Sequence, residues 1–316
     1  LIGGPPCQGF SGYNRFRNLD DERNSLAYEF LKVADILKPR AVLMENVPGM
    51  LSLENGIVVD RILDSLESLG YQPEMGIIQS GNFGVPQNRW RVFIVAFKKS
   101  KIEFKFPKPT HDFPRTTLFG AKNYKRYIIK TLSRTDDLFY TKLLPFSTVS
   151  DAISDLPPIK NGEEFVGNYS SKPRSEFQEH AREKSTGVVN HITAKMGPLN
   201  MERIKNLPQK KGACWSDLPL ELQPQNLKKY SPTSFNNRFG RLSWDGIFNT
   251  IVTRMEPYWG RVIHPEDQRV LSVRECARAQ TFPDDYHFSG GISSCYRQIG
   301  NAVPPKVAEH LGRAIY

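Results

Sequence analysis

Apolar positions in the first hundred residues recur with two different periods. Between Asn24 and Leu37 they fall at Leu26, Phe30, Leu31, Ala34 and Leu37, the one-sided spacing of a helix that Lys38-Pro39 ends. Ala41 to Met44 is instead a short unbroken apolar run, fit for a buried strand that finishes at Glu45-Asn46. Val58, Val59, Ile62, Leu63, Leu66 and Leu69 mark a second amphipathic helix, closed by Gly70. Arg91 to Phe97 reads as a further strand. Strands alternating with helices predict βαβ units and a mostly parallel sheet covered on both faces.

The pattern weakens after Phe97, where prolines from Pro107 to Pro232 punctuate a polar stretch. From Gly240 it returns, with helices over Val273–Ala279 and Val303–Ile315, the last opening at Pro304-Pro305. The expected class is α/β, built from a first domain over residues 1–105, an inserted irregular domain over 106–245 and a return over 246–316.

Composition narrows the setting. The 316 residues are 39% hydrophobic and 24% charged, which describes a globular chain. No apolar run approaches the roughly 20 residues that span a bilayer, and no signal-peptide pattern opens the sequence, so no membrane role is expected. Cys7, Cys214, Cys276 and Cys295 are scattered without a CxxC pair. A disulfide scaffold or a Cys-rich metal site is not expected, and the reducing interior of a cell fits better.

Charge points outward. The formal balance of +10 sits almost wholly in residues 98–134, where eleven basic residues face only Glu103 and Asp112. Phe104, Phe106, Phe113, Phe119, Tyr124 and Tyr127 are interleaved with them. Basic residues beside aromatic surface suit nucleic acid. A solvated loop with a few aromatics folded inward fits the same residues equally well.

Four short stretches carry candidate chemistry. Pro5-Pro6-Cys7-Gln8-Gly9 places a thiol after two stiffening prolines, at the strand end where open α/β sheets keep their reactive groups. Glu45-Asn46-Val47 puts a carboxylate at another strand end. In Gln87-Asn88-Arg89-Trp90-Arg91, alternation sets Arg89 and Arg91 on one side, ready for an anion or a carbonyl oxygen. Gln298 to Pro304 reads as a turn into the last helix that offers backbone N–H groups to a ligand. Taken singly, each also fits a bland structural role: a buried cysteine, a capping carboxylate, a surface arginine pair, a bare turn.

Together, and with Arg269 to Pro283 as a fifth motif, they resemble the DNA (cytosine-5)-methyltransferases in order and spacing. His191-x-x-x-Lys195-Met196, Ala213 to Pro219 and Gly240 to Gly246 look most like the eukaryotic maintenance-type members. The resemblance implies a Rossmann-like class I methyltransferase sheet, truncated at its N-terminus, with a target-recognition domain inserted. It further implies that Cys7 adds to C6 of a flipped cytosine, that protonated Glu45 bonds ring N3, and that Arg91 binds O2. Arg89 would brace Glu45 or contact the DNA backbone. Ser11 and Thr250 would touch phosphates. S-adenosylmethionine is the implied cofactor, its methionine end at Asn301, Ala302 and Val303, with Leu26 and Pro6 as walls; no metal is implied. The family's FxGxGG loop and the acidic residue that follows are not found, so the reading expects either a fragment or a separate cofactor-binding half. The partner is double-stranded DNA. The setting is intracellular and DNA-associated, in a nucleus for a eukaryote or the cytoplasm for a bacterium. A tRNA methyltransferase, and a nucleic-acid-binding subunit without activity, stand as alternatives.

Overall fold

The computed structural model describes residues 1–5, 25–98, 104–114, 127–128 and 143–316. Cys7, Pro6 and Ser11, with most of the basic segment 98–134, lie outside the described residues. Two units are distinguished: residues Leu1–Phe83, Trp90–Leu144 and Glu309–Tyr316 form the first, Gly84–Arg89 and Pro145–Ala308 the second.

In the first unit, β1 (Ile2–Gly3), α1 (Ser25–Leu37), β2 (Ala41–Asn46), α2 (Ile57–Ser68), β3 (Tyr71–Gln79) and β4 (Trp90–Lys98) follow one another along the chain. The sheet order is β1-β2-β4-β3. Val42, Met44, Val92, Ile94 and Ala96 point to one face, where Ala27, Leu31 and Ala34 of α1 and Val59, Ile62 and Leu66 of α2 complete a core. Gly3 is tight against this layer: a Cβ there would lie 2.5 Å from the Phe30 ring.

β1 and β2 are parallel, but β4 runs antiparallel to both β2 and β3. The expected mostly parallel sheet is therefore corrected to a mixed one. Between Gln79 and Trp90 the chain has no α-helix to serve as a crossover, and a short connection returns a strand antiparallel. β3 itself escaped the apolar pattern because Gln72, Pro73, Glu74 and Gly76 interrupt it. As an edge strand it tolerates the proline. In the basic segment, Phe104 and Phe113 are buried, and Phe106 packs so closely that a Cβ on Gly76 would meet it at 2.7 Å. The described aromatics there fold inward.

After the two-residue strands β5 (His111–Asp112) and β6 (Leu144–Pro145), the second unit contains α3 (Val149–Ile153), β7 (Glu164–Gly167), α4 (Glu176–Arg182), β8 (Val188–Ile192) and α5 (Pro198–Asn206). β9 (Gly240–Arg241), β10 (Arg261–Ile263), α6 (Val273–Ala279) and α7 (Ile292–Asn301) follow, and α8 (Pro305–Ile315) ends the chain. α6 is the unit's centre. All seven of its residues are buried, including Arg274, Glu275 and Arg278. Such burial is tolerable because each charge has partners. Arg269 grips Glu275 at 2.7 Å, and Arg278 binds Asp284 at 2.6 Å and Asp155 at 3.1 Å. Ser272 and Glu275 cap the helix reciprocally.

Candidate active site

Glu45 stands near the end of β2, directly opposite Phe93 of β4. Two residues back along β4, on the same face, Arg91 reaches it diagonally: Nε lies 2.8 Å from Glu45 Oε1. Arg91 Nη1 also donates to the Trp90 carbonyl at 2.8 Å. The pair is mostly buried, with side chains 12% and 14% exposed, so the guanidinium and the carboxylate hold one another with little freedom. Gly4 lies against this carboxylate; a Cβ there would stand 3.1 Å from Glu45 Oε2. Asn46 Nδ2 donates to the Pro5 carbonyl at 3.3 Å, while its Oδ1 accepts from the Val47 N–H at 2.9 Å. The strand that leads to Cys7 in the sequence is thus anchored beside Glu45 up to Pro5. Leu26, expected as a cofactor wall, is 40% exposed on α1.

Arg89 has a set of partners of its own. It is fully buried in the second unit. Nη1 donates to Ile251 O at 3.2 Å, and Nη2 to Gly300 O at 3.0 Å and Ala302 O at 2.8 Å. The brace on Glu45 is Arg91, and a fully buried Arg89 presents no surface to a DNA phosphate in this arrangement. Thr250 Oγ1 donates to Asn88 O at 2.6 Å, so its proton is committed to the backbone rather than held for a phosphate.

Residues 298–301 are likewise not a turn offering N–H groups. They are the last turn of α7, so this segment presents carbonyls, and Arg89 sits where a cation belongs at a helix C-terminus. Gly300 permits the close packing, since a Cβ would fall 2.6 Å from the Val252 carbonyl carbon. Asn301 is exposed, and Ala302 and Val303 are half-buried. An exposed amide that both donates and accepts, next to a backbone held by Arg89, fits the amino-acid end of S-adenosylmethionine.

Sequence reasoning missed one feature of the second unit. Phe235 and Trp259, 42% and 40% exposed, flank the Arg238 guanidinium, whose carbon lies 5.8 and 4.7 Å from their ring centres. Tyr258 stacks at 4.9 Å, and Arg238 Nη1 donates to its carbonyl. Lys229 lies over Tyr230, which in turn packs edge-on against Phe235. Residues 226–241 and 254–261 carry six basic residues and one acidic one, Glu256. The signal was present as aromatics among basic residues, but in loops without periodicity.

The comparisons with known proteins agree with the motifs. The model of the C-5 cytosine-specific DNA methylase family matches residues 1–316. DNA (cytosine-5)-methyltransferase 1A of Oryza sativa subsp. japonica is 37% identical over 343 residues, covering 100% of this chain and 22% of that protein. DNA (cytosine-5)-methyltransferase 1 of Gallus gallus is 35% identical over 376 residues, covering 100% of this chain and 24% of its own length. The chain thus spans about a quarter of the relatives it matches. Among solved structures, a DNA modification methyltransferase encoded within a prophage (E. coli) superimposes with a TM-score of 0.62 at 24% identity, over 100% of this chain and 77% of that one. A Spodoptera frugiperda DNMT2 mutant gives 0.51 at 16% identity, over 100% and 78%. These two structures share the mixed α/β fold described above. Matched from end to end by the family model, the chain belongs to the C-5 cytosine-specific DNA methylase family.

Proposed function

We propose that the chain is the catalytic and target-recognition part of a DNA (cytosine-5)-methyltransferase, using duplex DNA and S-adenosylmethionine. The observation that carries this reading is the Glu45–Arg91 pair beside Gly4, three residues ahead of Cys7 in the sequence. C5 of cytosine is a weak nucleophile. The Cys7 thiolate bonds to C6, and the C5–C6 π electrons move onto C5 and the ring. Glu45, protonated when the base is bound, donates to N3, and Arg91, aimed by Glu45, donates to O2, so both stabilise charge that develops only as the adduct forms. S-adenosylmethionine, when bound, supplies an electrophilic methyl group for C5. A solvent water then takes the C5 proton, the C5–H bonding electrons restore the C5–C6 double bond, and the Cys7 thiolate departs from 5-methylcytosine. Since C6 is shielded in a stacked duplex, the base is flipped out first.

Asn301, Ala302 and Val303 hold the methionine end of the cofactor in this reading, with Leu26 and Pro6 as walls. Target recognition belongs to residues 106–245. The DNA backbone meets Lys229, Phe235 and Trp259 around Arg238, together with Ser11 of the cysteine loop.

In the full-length protein, Cys7→Ala is expected to abolish methyl incorporation into duplex DNA while leaving DNA binding intact. Retained methylation would refute the mechanism. Methylation of tRNA in preference to duplex DNA would replace the substrate but keep the chemistry.

A further inference from the structure

The link between α7 and α8 makes few backbone bonds of its own: the Ala302 N–H donates to Ile299 O at 3.2 Å, and Pro304 O accepts from the Ala308 N–H at 3.0 Å. It runs through Ala302, Val303 and Pro304 into Pro305, and the two prolines supply no N–H donors. The Ala302 carbonyl is also held from outside, by Arg89 Nη2 at 2.8 Å and by a second residue. Gln280, fully buried at the C-terminal end of α6, donates from Nε2 to Ile299 O at 2.7 Å and to Ala302 O at 3.4 Å. Its Oε1 accepts from Gln87 Nε2 at 3.0 Å. Gln87 is fixed in turn, donating to Ala279 O at 3.1 Å and accepting from the Ile251 N–H at 2.8 Å. The neighbouring Thr281 takes the far side of the link: its Oγ1 accepts from the Lys306 N–H, in the first turn of α8, at 3.2 Å. Two adjacent residues therefore grip the link before and after the exposed Asn301 and half-buried Val303.

We propose that Gln280 is a positioning residue for cofactor binding, holding Asn301–Val303 in the backbone conformation that meets the methionine end of S-adenosylmethionine. This rests on the cofactor assignment above. Gln280 touches no ligand itself; its amide orders the carbonyls behind the residues that do, so the binding segment is ordered before the ligand arrives.

The test is calorimetric titration of the full-length protein with S-adenosylhomocysteine, run well below each variant's melting temperature. Gln280→Met keeps the volume but loses the amide, and is expected to weaken binding at least about tenfold. Gln178→Met is the comparison. Gln178 is also fully buried in the second unit, bonded to Ser150 O, Ser154 Oγ and the Arg174 N–H. Its replacement is expected to lower thermal stability without changing affinity. Gln280→Asn, which keeps an amide too short to span the same bonds, is the milder variant should Gln280→Met not fold, with the same loss expected. Unchanged affinity in the folded Gln280 variants, or an equal loss in Gln178→Met, overturns the proposal. Failure of the unaltered protein to bind S-adenosylhomocysteine would instead count against the cofactor assignment itself.

Discussion

The Glu45–Arg91 pair concentrates most of what a single residue can do here. Arg91→Lys keeps the charge but loses the geometry that lets one guanidinium hold both Glu45 and the Trp90 carbonyl. A fall in kcat of about a hundredfold is expected, the scale of one lost transition-state donor. Arg91→Ala additionally strands a mostly buried carboxylate and should cost on the order of 2–4 kcal/mol of stability in urea unfolding. Glu45→Gln leaves Arg91 an acceptor but not its counter-charge, so a smaller loss of stability than for Arg91→Ala is expected, while methyl transfer collapses. A Glu45→Gln enzyme of ordinary rate would remove the carboxylate from the chemistry. Thr281 separates strain from bonding. It is β-branched yet held at φ 66°, a left-handed conformation that costs about 1–2 kcal/mol, while its hydroxyl bonds the Lys306 N–H. Thr281→Ala keeps the strain and loses the bond, whereas Thr281→Gly loses both. The alanine variant should therefore be the less stable of the two by about 1 kcal/mol in the same urea measurement.

At the level of elements, α7 shows why a helix end is not a loop. Its final turn presents the Gly300 carbonyl to Arg89, and Gly300 itself lies against the 251–253 backbone. Gly300→Ala would place a Cβ 2.6 Å from Val252 C and 2.7 Å from Thr253 N. Backbone cannot swing aside as a side chain can, so a loss of about 1–3 kcal/mol is expected, read as a lower urea midpoint with unchanged slope. An unchanged midpoint would show that the two segments are not in contact. The same helix marks the limit of periodicity. α1, α2, α6, β2 and β4 were legible because their apolar residues repeat at 3.6-residue spacing or in short runs. α7 was not, since its buried stripe is only Cys295, Tyr296, Ile299 and Gly300, with Ser293, Ser294 and Gly300 suggesting a turn. The polarity of that segment, carbonyls rather than N–H groups, was therefore read the wrong way round. Glu45 and Arg91 were legible as candidates because strand ends are where α/β sheets display polar groups. Their pairing was not, because it depends on β4 lying antiparallel to β2. Arg89 has different partners from Arg91 because alternation continues only while a strand does, and β4 begins at Trp90.

At the scale of the whole molecule, charge is not confined to the surface: the second unit buries ions and imidazoles at its centre. His191 is fully buried, with Nδ1 2.8 Å from Ser272 Oγ and Nε2 2.7 Å from Pro157 O. Burial pushes its pKa below the ordinary value of 6.5, although Glu275 pulls the other way. His264 is displaced in the same direction, again chiefly by burial and against the pull of Glu275. For Glu275, burial favours the neutral acid, yet the Arg269 guanidinium outweighs it and holds the carboxyl well below its usual range. The signs then differ by pH window. As pH falls through 6.5, the unfolded chain protonates both histidines while the native chain does not, so stability drops by up to about 1.4 kcal/mol per pH unit for each. The contribution of Glu275 is intact throughout that window and is lost only as pH falls below the ordinary carboxylate range, where the unfolded chain takes up the proton first. Urea unfolding at pH 7.5, 6.5 and 5.5 should therefore show stability falling with pH, more steeply between the last two. His191→Gln, which cannot titrate, should make that loss smaller. If the unfolding free energy is the same at all three pH values, the two imidazoles are not held neutral, and the buried cluster around α6 is more open to water than its packing indicates.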